Sequence, residues 1–80
     1  SDNEILDMMV YPNPADGNYV TILSSVEGLK EIQVFTVTGK KVLDTVNNEN
    51  TLDTSSFNSG IYMLKVTING QSKISKLVVR

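Results

Sequence analysis

Turn-forming residues cut this chain roughly every ten positions, and no intact stretch is long enough to make a stable helix. The breaks fall at Pro12-Asn13-Pro14, Asp16-Gly17-Asn18, Gly28, Thr38-Gly39, Asn47–Asn50, Asn58-Ser59-Gly60 and Asn69-Gly70. Between them lie short runs rich in Val, Ile, Thr, Tyr and Phe, the residues that suit a pleated, half-buried surface. Such a rhythm predicts an all-β domain of about seven short strands in two packed antiparallel sheets.

The runs read as follows. Met8 to Tyr11 is a short first strand, ended by Pro12 and Pro14, which remove amide donors and push Tyr11 and Asn13 toward extended conformations. Tyr19 to Leu23 alternates loosely. Lys30 to Val37 sets Ile32 and Val34 on one face and Phe35 and Val37 on the other, which suits a central strand. Lys41 to Val46 follows across the Thr38-Gly39 turn and completes a hairpin, with Gly39 expected at positive φ. Thr51 to Phe57, whose large apolar residues are Leu52 and Phe57, reads as a short strand and a loop crossing between sheets. Ile61 to Ile68 is the clearest strand, with Tyr62, Leu64, Val66 and Ile68 on one face. Ser72 to Val79 is the last. The expected core is Ile22, Ile32, Val34, Leu43, Tyr62, Leu64 and Val66.

Asn69-Gly70 is the strongest hairpin signal in the chain, and it allows two registers. A two-residue turn sets Val66 opposite Lys73 and Leu64 opposite Ser75. A three-residue loop with a bulge sets Thr67 opposite Gln71 and Leu64 opposite Ile74, with Val78 on the same face. A one-residue slip exchanges the faces of the whole strand. Matching apolar to apolar favours the bulged register.

At 80 residues the chain makes one domain with a thin core. Its first seven residues are polar and acidic apart from Ile5 and Leu6 and read as the end of a linker, so the domain proper spans 8–80. No apolar run approaches the ~20 residues that span a bilayer, and no basic-then-apolar signal peptide opens the chain. It begins with Ser, as expected of a processed product or an excised piece of something larger. The net charge of −2 is too small to point to nucleic acid or an anionic membrane. Its distribution is polar: Asp2, Glu4, Asp7 and Asp16 at one end, Lys65, Lys73, Lys76 and Arg80 at the other.

The chain has neither His nor Cys, which excludes a disulfide, a Ser-His-Asp triad, a thiol nucleophile and the usual zinc sites. The five glycines are scattered in turns and form no phosphate loop. The acids are spread too thinly for a carboxylate pair in a cleft, so the chain reads as no enzyme and calls for no cofactor. Asp16, Asn18 and Asp53 offer loop oxygens, but calcium takes six to eight ligands and no spaced Asp/Asn ladder is present, so solvated acids are the favoured reading. Tyr11, Tyr19 and Tyr62 either line a sugar-binding face or, as tyrosines on strands usually do, pack the sheet. Lys73 and Lys76 on a terminal strand have a plain reading as guards against edge-to-edge aggregation.

Four short motifs occur in order: Tyr11-Pro12-Asn13-Pro14 after a strand, Thr38-Gly39-Lys40 between two strands, Gly60-Ile61-Tyr62 opening a strand, and Lys76-Leu77-Val78-Val79-Arg80 at the end. Together they resemble the type A C-terminal sorting domain of type IX secretion cargo in Bacteroidetes, over nearly the whole chain. The resemblance implies an Ig-like antiparallel sandwich, recognition by the outer-membrane translocon, and cleavage upstream by a sortase-like cysteine protease. It implies an N-terminal cargo domain that passes through the periplasm to be secreted or held on the cell surface, released or joined to lipopolysaccharide. It also places the export signal near Lys76–Arg80, where many relatives carry lysines in place of Val79-Arg80. Pro12, Pro14, Gly39, Gly60 and Tyr62 have fold-preserving readings as well. The alternative is an accessory adhesion or carbohydrate-binding sandwich of a secreted enzyme; a sorting domain ends its precursor, whereas a binding module sits anywhere.

Overall fold

The computed structural model describes residues 6–13, 15 and 18–80. Seven strands form: β1 Met8–Tyr11, β2 Tyr19–Ser24, β3 Lys30–Thr36, β4 Lys41–Asn47, β5 Thr51–Asp53, β6 Gly60–Ile68 and β7 Gln71–Val79. There is no helix among the described residues. The strands divide into a three-stranded sheet, β1-β2-β5, and a four-stranded sheet, β4-β3-β6-β7, antiparallel throughout. The arrangement is the Ig-like sandwich, with β3 and β6 central in the larger sheet. The turn expected at Asp16-Gly17-Asn18 and the proline at 14 lie largely outside the described residues.

Alternation does the sorting. In β6 the even-numbered residues Tyr62, Leu64, Val66 and Ile68 are all buried, while their odd-numbered neighbours are partly or fully exposed. They meet Val20 and Ile22 of β2, Leu52 of β5, Ile32 and Val34 of β3, and Leu77 and Val79 of β7 in one cluster. Every residue of the expected core is there; Leu43 is only partly buried, because β4 is the edge of its sheet. Leu6, before β1, is also buried, and its N–H donates to Gln71 Oε1 at 2.8 Å. Gly39 sits at φ 96° in the β3–β4 turn.

The final hairpin takes the register that the apolar-matching argument disfavoured. Ile68 pairs with Gln71, Val66 with Lys73 and Leu64 with Ser75. The turn is the two residues Asn69 and Gly70, at φ 53° and 81°, whose twist suits the flanking strands. The bulged expectation, with Leu64 opposite Ile74, is therefore wrong. It assumed that the partner of a buried residue must itself be buried. β7 is an edge strand, and on its inward face Gln71 and Ser75 are half-buried and the long side chain of Lys73 reaches solvent. The register is decided farther along, where Leu77 and Val79 enter the core opposite Tyr62 and Gly60.

One buried polar group stands out. Thr54, 2% exposed, donates its N–H to Asn18 O at 2.8 Å and accepts from Phe57 N–H at 3.1 Å. Its hydroxyl has no partner among the described residues. Thr54→Val keeps the shape and removes the unsatisfied oxygen, so a gain of about 1 kcal/mol is expected. In a domain of this size that raises the melting temperature by about 4–8 °C. A lowered melting temperature in a thermal scan would show that the hydroxyl contributes to the fold.

Candidate recognition surface

A sandwich has two poles, and chain direction assigns every loop to one of them. β1, β3, β5 and β7 end at the pole where β2, β4 and β6 begin. The register makes this concrete: Tyr11 lies opposite Thr21, Tyr19 opposite Asp53, Phe35 opposite Lys41, and Gly60 opposite Val79. All four motifs, separated by up to some sixty residues of chain, therefore gather at one pole together with the chain's end. The segment entering β1, the β2–β3 loop and the Asn69-Gly70 turn occupy the other. β6, nine residues long, separates the two by roughly 30 Å.

Residue by residue, much of each motif holds the fold. Leaving β1, the chain turns at Tyr11-Pro12, a cis peptide, and crosses to the other sheet. There Asn13 acts as one rung of a ladder: its Nδ2 donates to Lys76 O at 2.8 Å and its Oδ1 accepts from Val78 N–H at 3.1 Å. Ala15, 1% exposed, continues the ladder in parallel, donating to Val78 O at 2.6 Å and accepting from Arg80 N–H at 3.2 Å. The outer edge of β7 from Lys76 C=O to Arg80 N–H is thus closed, so this stretch cannot pair with an added strand. The closure was not foreseen from sequence, although a short amide between two prolines, where the backbone is starved of donors, is the residue that makes such a bridge.

Tyr62 is 9% exposed, and its hydroxyl donates to Asn58 O at 2.7 Å, four residues upstream. A tyrosine that opens a strand and ties the preceding loop to it is the tyrosine corner of Ig-like sandwiches. Phe57 stacks on it with ring centroids 5.2 Å apart. Thr36 and Lys40 close the β3–β4 turn: Thr36 N–H donates to Lys40 O at 2.8 Å, and Gly39 N–H to Thr36 O at 2.9 Å.

What the pole presents to solvent is a shorter set. In the final segment Leu77 and Val79 are buried, Val78 is half-buried, and Lys76 and Arg80 are exposed. Lys40 is exposed, and Ile61, opposite Val78, is 48% exposed. Tyr11 and Tyr19 lie exposed on the outer face of the three-stranded sheet, away from the buried Tyr62, so the three tyrosines form no common face. Of the loop acids, Asp53 accepts from both the N–H and the hydroxyl of Ser55, which holds its carboxyl below the usual range. Asp44 is likewise lowered by the hydrogen bond from Lys41 at 2.8 Å. Asp16 lies outside the described residues.

Four motifs on one pole, carried by a sandwich with this corner, are the pattern of a whole domain and not of scattered matches. The family model of the secretion system C-terminal sorting domain matches residues 9–80. The chain belongs to that family. Among curated proteins, none matches it. As a sorting domain it is the type IX secretion signal of its protein, which is exported across the outer membrane to the cell surface or the medium. The family is one of signals, not of enzymes. No observation favours the adhesion or carbohydrate-binding alternative.

Proposed function

We propose that the sorting domain is read at its motif-bearing pole, with Lys76, Leu77, Val78, Val79 and Arg80 as the signal. Within it Lys76 and Arg80 are the charged contacts, Val78 is the apolar one, and Leu77 and Val79 anchor the strand. The reading is carried by one observation: alternation in β7 buries Leu77 and Val79 and leaves Lys76 and Arg80 displayed beside the other motifs. The reader is the outer-membrane translocon. The opposite pole holds the entry of the chain, so the cargo domain and the upstream cut by a sortase-like protease fall on the far side from the signal. The same protein can then be engaged at one end and processed at the other. The domain is a substrate of that chemistry and performs none itself.

Changing Lys76 and Arg80 to Ala tests this without touching the core. Exposed substitutions of this kind alter stability by about 0.5 kcal/mol or less. The variant, fused behind a secreted reporter in a bacterium with type IX secretion, is expected to retain its melting temperature and lose most export. Unchanged export with a normal melting temperature would move the signal away from these charges.

A further inference from the structure

The two-residue Asn69-Gly70 turn makes Ile68 and Gln71 a hydrogen-bonded pair, and this sets the direction of every backbone group in β7. Gln71, Lys73, Ser75, Leu77 and Val79 bond back to β6. Ser72, Ile74, Lys76, Val78 and Arg80 point their backbone groups outward. The far part of that edge is filled by Asn13 and Ala15. The near part is open: among the described residues nothing pairs with the N–H or C=O of Ser72 or Ile74, or with the N–H of Lys76.

This window is accessible from both sides. Lys73, on the inward face, is exposed, and Ile74, on the outward face, is 58% exposed. Lys73 and Lys76 have no carboxylate within 4.0 Å among the described residues. An open edge with an exposed β-branched residue favours strand pairing, and its lysines choose the partner. A second copy of the chain, paired antiparallel about Ile74, would set Lys73 opposite Ser75 and Lys76 opposite Ser72 of that copy, so no lysine would gain an opposite charge from it, whereas an acidic segment supplies one.

We infer that the β7 edge from Ser72 to Lys76 is a strand-addition site for an extended acidic peptide segment. An antiparallel segment with an apolar residue opposite Ile74 places its next residue opposite Lys73, and the residue two before opposite Lys76. The fitting pattern is therefore acid, any residue, apolar, acid. Assigning this segment to the export machinery rests on the reading given under Proposed function; the edge itself does not.

The test uses the whole chain labelled with nitrogen-15 and a synthetic peptide, Thr-Glu-Thr-Val-Glu-Thr-Val, with a control carrying Lys for each Glu. Exchange of the outward Ser72 and Ile74 amides is expected to slow by about tenfold with the acidic peptide and to stay unchanged with the control. No added protection, or equal protection by both peptides, would overturn the inference. Ile74→Pro removes an outward N–H without breaking a bond to β6, and proline is tolerated at such edge positions. It is expected to abolish the peptide effect at Ser72 and, in the reporter, to reduce export. If that variant fails to fold, the peptide titration of the unaltered chain decides alone. Normal export of a folded Ile74→Pro reporter would overturn the edge as a contact of the machinery. That result is independent of whether the Lys76 and Arg80 substitutions block export, which is what tests the pole.

Discussion

Replacing Tyr62 by Ala is expected to remove about 3–5 kcal/mol, roughly a quarter or more of the stability of a domain of this size. The ring is nearly buried, stacks on Phe57 and fills the corner where the chain passes from the three-stranded sheet to β6. Truncating a buried aromatic costs about 3–5 kcal/mol. A domain of this length has only about 4–12 kcal/mol in total, at 0.05–0.15 kcal/mol per residue. Tyr62→Phe isolates the corner hydrogen bond to Asn58 O: it keeps the ring and is expected to cost about 1 kcal/mol, or 4–8 °C in melting temperature. Urea denaturation of the three proteins separates the two contributions. A Phe variant as unstable as the Ala variant would mean that the hydroxyl, not the ring, holds the corner.

Asn13→Ala is the second large effect, and it links stability to display of the signal. The side chain makes two hydrogen bonds to the backbone of β7 and stands where a strand residue would. At 0.5–1.5 kcal/mol net for each bond, the loss is about 1–3 kcal/mol. The local consequence is sharper. With the amide gone, Val78 N–H and Lys76 C=O become free edge groups, and the signal strand is held less firmly there. The Val78 amide is expected to exchange at least about tenfold faster, while amides in the middle of β6 change only by the global loss. Asn13→Asp discriminates further: a carboxylate accepts from Val78 N–H but cannot donate to Lys76 C=O, so it retains protection at Val78 only. Equal exchange at Val78 in Asn13→Ala and the unaltered chain would show that Ala15 alone closes the edge.

These two residues show how differently the motifs were readable. Tyr62 was expected in the core because its face of β6 repeats with period two, and that needs no knowledge of a partner. Asn13 was read as an extended residue between two prolines and as part of a motif, with no bonding partner assigned. Its bonds reach Lys76 and Val78, 63 and 65 positions away, and no local pattern announces a pairing at that range. The gathering of all four motifs at one pole is legible in principle, since alternate strands must run in opposite directions, but it requires the strand assignments first.

Strand existence, the seven-strand count, six of the fourteen buried core residues among those described and the positive-φ turn at Gly39 all followed from side-chain alternation and turn chemistry, which act within a few residues. The exclusion of thiol, histidine and zinc chemistry followed from composition alone. The register of the last hairpin did not. Pairing rules treat both strands as equally covered, so they set apolar Ile74 against Leu64. Only the packed sandwich reveals that the second sheet is one strand narrower, and that on the inward face of β7 Lys73 stays exposed and Ser75 half-buried. Burial of Leu77 and Val79 is what the register obeys, because apolar area is removed from water only where a second layer exists to cover it. The same geometry decides which residues of the terminal segment face the solvent and which part of its edge stays open, and both are properties of two sheets together.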